Sequence, residues 1–282
     1  RWLTSLSLAH VGGLAMMTRA ALVGSALVLA GRFRAESLRK LVLEGTVTHA
    51  SLVPTMLGQF LSILGDEGVP RTLRCLLIGG AHAHGDLIRR ALDRGLPLAL
   101  TYGMTEASSQ VATATPELVA RKPGTVGPPL PGVEVRLSEE SEVWVRGATV
   151  SPGKQDEKGW YRSGDLARMD EDGHLWIVGR MASRIISGGV NVDPAEVEAL
   201  LRTHPGVEEA VVVGIPDPEW GERVVAAVAV GTEREVHRRD LDRLSRAALS
   251  PAKRPRDFAL VASLPRNANG KVDREKVRDL FR

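Results

Sequence analysis

Four segments of the chain combine residue types that could bind and activate a nucleotide. The first, residues 101–106, places an aromatic ring, a glycine, a hydroxyl and a carboxylate within six residues. The ring of Tyr102 could stack on a purine, the hydroxyl of Thr105 could donate to a phosphate oxygen, and Glu106 could hold Mg²⁺, which prefers oxygen ligands. The alternative for this segment is structural: Thr105 would be the N-cap of a turn that contains Glu106.

The other three segments place an aspartate, an arginine and a lysine near glycines. Asp165 could accept both hydroxyls of a ribose, or it could be an ordinary turn aspartate. Arg180 could reach a ribose or a phosphate, and Gly188 and Gly189 permit positive φ and the close approach of a ligand; a domain linker with a surface arginine is compatible with these roles. Lys271 lies in a turn rich in Asn and Gly, where its ammonium could neutralise a carboxylate and the phosphate it attacks, or could be solvated.

The elements that must position these residues alternate between strand and helix over residues 3–102. We predict strands at residues 3–8, 47–52, 73–78 and 98–102, and helices at residues 12–29, 35–43, 54–64 and 86–94. The alternation predicts an α/β fold with a parallel sheet, in which functional loops lie at the carboxyl ends of strands. Residues 79–80 and 102–106 fall at such ends, and so does His10, which could line a pocket or be structural.

A different pattern begins after about residue 120, where short apolar runs alternate with Pro-Gly and Asp-Gly turns. It predicts a small antiparallel β module over residues 124–178. The helix and strand patterns that follow predict a compact α+β unit. We therefore expect a large α/β domain at residues 1–180, which includes the β module, and a C-terminal α+β domain at residues 181–282.

Composition argues against several classes of function. The net charge of the 282 residues is +3 and only 4% are aromatic, with basic and acidic residues interspersed, so we expect no nucleic-acid partner. The single cysteine, Cys75, excludes a disulfide within the chain and fits a reducing compartment, which favours the cytoplasm. The most apolar window, residues 11–31, is interrupted by Arg19 and by glycines and predicts a buried helix instead of a membrane span.

Together, these segments and three others resemble the acyl-adenylate-forming superfamily of acyl-CoA synthetases, luciferases and peptide-synthetase adenylation domains. The matching stretches are HVGGL (10–14), SLVPTML (51–57), GGA (79–81), TYGMTE (101–106), GWYRSGDLA (159–167), GR followed by IISGGVNVDPAEVE (179–198) and LPRNANGKVDR (264–274). Within that superfamily the chain is most similar to the o-succinylbenzoate–CoA ligases of menaquinone biosynthesis, through residues 101–110, 131–147 and 185–189.

The resemblance implies a reaction in two steps. A carboxylate attacks the α-phosphate of ATP and displaces pyrophosphate, which gives an acyl-adenylate, and the thiol of CoA then takes the acyl group and releases AMP. It implies a nucleotide site made of Tyr102, Gly103, Thr105, Asp165, Arg180 and Lys271, with Glu106 holding Mg²⁺. It also implies an acyl pocket made of His10, Gly80, Ala81, Ser108 and Ser109, a CoA-facing stretch with Gly188 and Gly189 on a mobile C-terminal domain, and a hinge at Ala182. Thr105, Glu106 and Lys271 would be catalytic, with Lys271 bridging the carboxylate and the α-phosphate.

Three features depart from the pattern of the family. The Ser/Thr/Gly-rich phosphate loop expected before His10 does not occur in the 282 residues, Ala182 replaces the acid or other polar residue usual at the hinge, and Val190 stands where the subfamily usually has Glu. The first departure and the apolar start at residues 1–8 lead us to expect the C-terminal part of a longer enzyme, inactive alone without the loop. A fatty or aryl acyl-CoA synthetase, a carrier-protein-loading enzyme and a non-catalytic nucleotide-binding remnant are the alternatives, and a homo-oligomer is left open.

Overall fold

The computed structural model describes residues 1–65, 67–231, 235–267 and 272–282. They form two compact units, Arg1–Ile177 and Val178–Arg282. The elements of the first unit are β1 (Trp2–Thr4), α1 (Val11–Val23), β2 (Leu27–Leu29), α2 (Ala35–Leu43), β3 (His49–Leu52), α3 (Pro54–Leu64), β4 (Cys75–Ile78), α4 (Gly85–Asp93), β5 (Leu98–Met104), β6 (Ser109–Ala114), α5 (Pro116–Arg121), β7 (Val133–Leu137), β8 (Glu142–Gly147), β9 (Tyr161–Met169) and β10 (Leu175–Arg180), whose last residues belong to the second unit. The second unit continues with β11 (Ile185–Ser187), β12 (Val190–Val192), α6 (Pro194–Leu201), β13 (Val207–Asp217), β14 (Gly221–Val230), α7 (Arg238–Ala248), β15 (Asp257–Val261) and α8 (Arg274–Asp279).

A six-stranded sheet organises the first unit, with the strand order β2-β1-β3-β4-β5-β6. The first five strands in this order are parallel, and β6 runs antiparallel to β5. Parallel strands are covered on both faces and therefore read as apolar runs, as in β4 and β5, where Leu76, Ile78 and Leu98 are at most 2% exposed. The predicted α/β fold with a parallel sheet is confirmed.

Two elements predicted near the start of the chain are wrong in their extent, and the predicted burial of the first helix is also wrong, since Leu14, Leu22 and Val23 are exposed. The helix predicted over residues 12–29 ends at Val23, because Gly24 adopts the left-handed conformation with φ of 69° and closes the helix. The residues that follow form β2, the edge strand beside β1. The strand predicted over residues 3–8 ends at Thr4, and the hydroxyl of the next residue, Ser5, donates to a backbone carbonyl of β3.

The second sheet of the first unit has the order β10-β9-β8-β7, and β7, β8 and β9 are antiparallel. It forms a small β module that shares one continuous core with the six-stranded sheet, since Val111 of β6, Val143 of β8 and Leu175 of β10 belong to the same apolar cluster. The backbone N–H of Leu130 also donates a 2.9 Å bond to the carbonyl of Val111. The module is therefore packed onto the side of the large sheet where β6 lies.

The second unit is built on a five-stranded sheet with the order β12-β11-β14-β13, and β15 pairs in parallel with β14. Side chains alternate between the two faces of β13, and both faces are apolar. Val212 belongs to a cluster with residues of α6 and α7, whereas Val211 and Val213 belong to a cluster with Val277 of α8. Helices thus cover both faces of this sheet.

Local signals explain where several helices begin. α3 starts at Pro54, whose fixed φ suits the first helical position. Thr115, Asp193 and Asp273 are the N-cap residues of α5, α6 and α8, and each side chain accepts a backbone N–H. In the part of the chain that the structure describes, no helix has both the length and the apolar character that crossing a bilayer requires.

A lysine holds the hairpin between β9 and β10. Asp170, Asp172 and His174 of this hairpin offer ligand atoms within 4.8 Å of one another, a spacing that could suit a metal ion. Nζ of Lys122 lies 2.6 Å from a carboxylate oxygen of each aspartate and 3.0 Å from Nδ1 of His174. The ammonium group therefore takes the place that a metal ion could occupy. Its hydrogen bond to Asp170 lowers the pKa of that carboxyl to about 2.

Replacing Lys122 with Met should remove an acid-sensitive part of the stability. The folded-state pKa of Asp170 lies below its ordinary value of 3.8, so the stabilisation is complete above that value and is lost as the pH falls through about 2. We expect a lower thermal midpoint for Lys122→Met than for wild type at neutral pH, and a difference that shrinks as the pH falls towards about 2. The control is Lys40→Met, which removes an exposed lysine 3.9 Å from Glu44. A difference that stays constant down to pH 2 would contradict this role for Lys122.

Candidate functional site

The carboxyl ends of β1, β3, β4 and β5 meet at one edge of the six-stranded sheet, because these strands are parallel. The segments that leave this edge contain His10 after β1, Gly80 and Ala81 after β4, and Thr105 after β5. Ser109 lies at the same edge, since β6 begins there and runs antiparallel to β5. The topology thus gathers the residues predicted for the acyl pocket and the turn predicted for the nucleotide; the contact of either group with a ligand stays a prediction.

Tyr102 and Asp165 are 63 residues apart in the sequence and are neighbours in the fold. The ring of Tyr102 is 8% exposed and belongs to the core of the first unit. Its hydroxyl donates a 2.8 Å hydrogen bond to Oδ2 of Asp165 in β9. The residue predicted to contact a purine and the residue predicted to contact a ribose therefore lie together, as one nucleotide site requires.

The turn that follows Tyr102 is a short 3-10 helix, Thr105–Ala107. Its N-cap residue is Met104, and within the described chain no side chain caps it. The interpretation of Thr105 as a structural N-cap is therefore wrong, and this residue is exposed at the edge of the sheet. Glu106 is half-buried, and its backbone carbonyl accepts a 2.7 Å bond from the N–H of Ser151 in the β module.

Backbone strain follows this turn. Ser108 and Ser109 have φ of 53° and 112°, in the left-handed region that residues with a Cβ rarely adopt. Gly103 makes the arrangement possible, because a Cβ there would lie 1.7 Å from the carbonyl oxygen of Ser109. Oγ of Ser108 donates a 2.7 Å bond to the carbonyl of Thr149, which anchors the strained pair to the β module. Strain that is held by the surrounding structure is typical of functional sites.

Two residues that sequence reasoning missed, Glu142 and Ser163, contact the backbone around Asp165. Oγ of Ser163 accepts a 3.0 Å bond from the N–H of Asp165, and the carboxylate of Glu142 accepts a 3.0 Å bond from the N–H of Gly164. Both residues are buried: Ser163 is 5% exposed and Glu142 is 9% exposed. The signal in the sequence is a polar residue in an apolar context: Glu142 directly precedes the buried strand positions Val143 and Val145.

Gly188 and Gly189, which we predict to face CoA, form the two-residue turn between β11 and β12. Their φ angles of 57° and 76° are typical of the type I′ turn of tight hairpins. Gly188 also packs against Trp220: a Cβ would lie 2.8 Å from the indole ring, and its N–H donates a 2.9 Å bond to the carbonyl of Trp220. The turn and the indole ring account for both glycines, and the contact with CoA stays a prediction.

The remaining residues predicted for the site belong to the second unit. Arg180 is the last residue of β10, and Ala182 is exposed in a short 3-10 turn. Lys271 lies outside the described residues. Next to it, Arg266 and Val272 form an antiparallel bridge. The roles of Arg180 at a ribose, of Ala182 at a hinge and of Lys271 in adenylation therefore stay predictions.

An ion pair with a buried carboxylate holds the helix that follows Lys271. The side chain of Glu198 in α6 is 5% exposed, and Oε1 accepts 2.9 Å bonds from the guanidinium of Arg274 and from the N–H of Val212. Burial raises the pKa of Glu198, and the positive charge of Arg274 opposes that rise. Since Arg274 also donates a 2.6 Å bond to the carbonyl of Val212, one carboxylate joins α6, β13 and α8.

Cys75 is not placed to act as a nucleophile. It lies at the start of β4, and burial, with a smaller effect of Glu117, raises the pKa of its thiol to about 11. The thiolate, the reactive form, is therefore scarce at neutral pH. This agrees with the interpretation of Cys75 as a small apolar residue.

Comparison with known proteins identifies the class to which this fold and site belong. The family model of AMP-binding enzymes matches residues 1–153, and that of the AMP-binding enzyme C-terminal domain matches residues 196–271. The chain therefore belongs to the AMP-binding enzyme family.

Individual relatives narrow the comparison. The chain is 36% identical to the 2-succinylbenzoate–CoA ligase of Bacillus pumilus, over 99% of this chain and 60% of that protein. The solved o-succinylbenzoate CoA synthetase of Bacillus subtilis, in complex with its acyl-adenylate intermediate, is similar with a TM-score of 0.87 and 33% identity, over 99% of this chain and 60% of that one. An amide bond synthetase of Marinactinospora thermotolerans has a TM-score of 0.88 and 33% identity, over 100% and 62% of the two chains. The chain thus spans about 60% of the length of the relatives it matches.

Alanine at the two turn glycines should separate backbone strain from contact with Trp220. Both positions have left-handed φ, which costs a residue with a Cβ about 1–2 kcal/mol. Only at Gly188 does the Cβ also meet the indole ring, which adds roughly 1–3 kcal/mol of overpacking. Urea unfolding followed by circular dichroism should therefore show a larger loss of stability for Gly188→Ala than for Gly189→Ala, the matched control. Equal losses would contradict the packing of Gly188 on Trp220.

Proposed function

We propose that the chain supplies the nucleotide site of an enzyme that uses ATP to activate a carboxylic acid as an acyl-adenylate and then transfers the acyl group to CoA. The observation that carries this proposal is the hydrogen bond from Tyr102 to Asp165, which joins the predicted purine and ribose contacts. Membership of the AMP-binding enzyme family supports it independently. Since the chain spans about 60% of its relatives, the reaction, its substrates and its partners are all parts of the proposal.

Adenylation gives the carboxyl carbon a leaving group. A free carboxylate is a poor acyl donor because oxide would have to leave, whereas AMP leaves readily from the mixed anhydride. In this proposal, Thr105 donates its hydroxyl to the α-phosphate, Asp165 accepts from the ribose hydroxyls and Arg180 contacts the ribose. Lys271 bridges the carboxylate and the α-phosphate, where its ammonium stabilises the charge that develops in the transition state.

Glu106 has the chemistry of a magnesium ligand. Mg²⁺ usually takes one or two carboxylates together with phosphate oxygens and water. Glu106 lies half-buried at the carboxyl edge of the sheet, in a turn that the backbone of Ser151 holds in place. The chain therefore offers one carboxylate beside the proposed nucleotide site, and the ion, when bound, would neutralise charge on the phosphates.

We infer o-succinylbenzoate as the acid because relatives with that activity in their names match 99% of this chain at 36% identity. CoA is the proposed acceptor, approached by Gly188 and Gly189 after a rotation of the C-terminal domain, residues 181–282, at Ala182. A cytoplasmic location and the absence of a nucleic-acid partner belong to the same proposal. A fatty or aryl acid, a carrier protein as acceptor, and a nucleotide-binding remnant are the alternatives.

Titration calorimetry with AMP tests the nucleotide site directly. We expect the chain to bind AMP and Asp165→Ala to bind it at least about tenfold more weakly, because hydrogen bonds to a charged group contribute about 1.5–3 kcal/mol. Glu171→Ala removes an exposed carboxylate from the neighbouring hairpin and should bind like wild type. Absence of AMP binding, or equal loss in the two variants, would overturn the proposed site.

Replacing Lys271 with Ala should separate the two half-reactions. In the complete gene product, with the phosphate loop that does not occur in these 282 residues, we expect loss of pyrophosphate release from ATP and o-succinylbenzoate. Thioester formation from supplied o-succinylbenzoyl-AMP and CoA should be retained, because only the first step needs the bridging ammonium. Lys276→Ala, at an exposed lysine in α8, is the control and should keep both steps.

Each departure from this result has a different consequence. Equal loss of both half-reactions in Lys271→Ala would contradict the role of Lys271 in adenylation. Turnover by wild type with a fatty or benzoic acid but not with o-succinylbenzoate would contradict the proposed acid. Transfer to a carrier protein instead of CoA would contradict the proposed acceptor, and AMP binding without turnover of any acid would favour the nucleotide-binding remnant.

A further inference from the structure

A bulge in β9 carries the aspartate that we propose for ribose binding. The antiparallel register of β8 and β9 shifts between Glu142 and Trp144, where the single residue Val143 faces residues 163–165. Gly164, in the middle of this segment, has φ of 71°. Bulges re-aim side chains, and the backbone groups that they release from the ladder need other partners.

Glu142 supplies such a partner and joins the bulge to a neighbouring indole ring. One carboxylate oxygen accepts a 3.0 Å bond from the N–H of Gly164, and the other accepts a 2.8 Å bond from the indole N–H of Trp144. The guanidinium carbons of Arg136 and Arg162 lie 4.4 and 4.3 Å from the centroid of that indole ring. The carboxylate therefore connects the bulge to a tryptophan whose ring contacts two guanidinium groups.

Both partners of Glu142 are hydrogen-bond donors, so only a side chain with two acceptor oxygens can satisfy both. A backbone N–H and an indole N–H are both donors with no acceptor, so the residue between them must accept on both sides. Glutamine has nearly the same shape, but it would turn its NH₂ group towards one of the two donors. Because Glu142 is only 9% exposed, water is poorly placed to repair that contact.

The bulge also holds the backbone of Asp165. Oγ of Ser163 donates a 2.7 Å bond to the carbonyl of Val143 and accepts a 3.0 Å bond from the N–H of Asp165. On the far side, the hydroxyl of Tyr102 donates to Oδ2 of Asp165. Glu142 acts at the residue between Ser163 and Asp165, so it controls the direction in which the aspartate leaves the strand.

We infer that Glu142 is a positioning residue for Asp165: by fixing the bulge at Gly164, it aims the aspartate at the hydroxyls of a bound ribose. The inference rests on the proposed function, which assigns the ribose to Asp165. It concerns how well the site recognises ribose hydroxyls and not whether the chain folds.

The test compares AMP with 2′,3′-dideoxy-AMP, which lacks the hydroxyls that Asp165 would accept. We expect wild type to bind AMP at least about tenfold more tightly than the dideoxy nucleotide, and Asp165→Ala to bind the two about equally. Glu142→Gln should reduce the preference to about threefold or less, with little change in affinity for dideoxy-AMP. A general loss of structure would weaken both nucleotides and leave their ratio unchanged.

Two further variants sharpen the test. Glu139→Gln removes the same charge from an exposed position in the turn between β7 and β8, and it should keep the wild-type preference. Trp144→Phe removes the indole donor, so in the double variant with Glu142→Gln the amide no longer faces two donors. We expect the double variant to recover most of the preference that Glu142→Gln loses, a coupling that independent structural damage would not produce.

The outcomes separate this inference from the proposal on which it rests. If wild type binds no AMP, or if Asp165→Ala keeps the preference for AMP, the nucleotide site itself is wrong and the inference falls with it. If wild type prefers AMP and Asp165→Ala does not, but Glu142→Gln keeps the full preference, only the inference is overturned. A reduced preference in Glu142→Gln that Trp144→Phe restores supports both.

Discussion

The hydrogen bond from the hydroxyl of Tyr102 to Asp165 joins the end of a parallel strand in the large sheet to a strand of the β module. Because the ring of Tyr102 belongs to the core of the first unit, the bond fastens one carboxylate oxygen of Asp165 to the end of β5. Next to Tyr102, Gly103 permits the close approach of β6, and next to Asp165, Gly164 adopts positive φ in the bulge of β9. A glycine thus follows the tyrosine and another precedes the aspartate of this contact.

Carboxylates with several donors act as connectors throughout the chain. Glu142 joins a bulge to an indole ring, Glu198 joins two helices to a strand, and Asp170 fixes a hairpin through the ammonium of Lys122. A buried or partly buried carboxylate is costly unless its oxygens accept hydrogen bonds, so each of these sites imposes a geometry on its donors. Precision at the proposed nucleotide site therefore depends on polar contacts as well as on apolar packing.

Prediction from the sequence succeeded where a local pattern is enough. The helix Ala35–Leu43 agrees with its predicted bounds, and the parallel order of the central strands follows from their alternation with helices. It was wrong for residues 27–29 and made no prediction for residues 109–114, where the observed strands depend on a distant partner. Residues 27–29 form a strand because β1 lies beside them, and Ser109–Ala114 form the antiparallel strand β6 through pairing with β5. The apolar run before Gly24 does not distinguish one helix from a helix and an edge strand.

The sequence by itself determined the α/β class and the parallel sheet, and it proposed residues that could contact a nucleotide, because periodicity, turn dipeptides and short motifs are local properties. Only the tertiary structure decided that Thr105 is not an N-cap, that Gly188 packs on an indole ring and that Lys122 takes the place of a metal ion. It also decided that Glu142 and Ser163 hold the loop of Asp165. These facts depend on contacts between residues that are distant in the sequence. Such a contact forms only when the fold brings donor and acceptor together, and no local pattern of residue types encodes that.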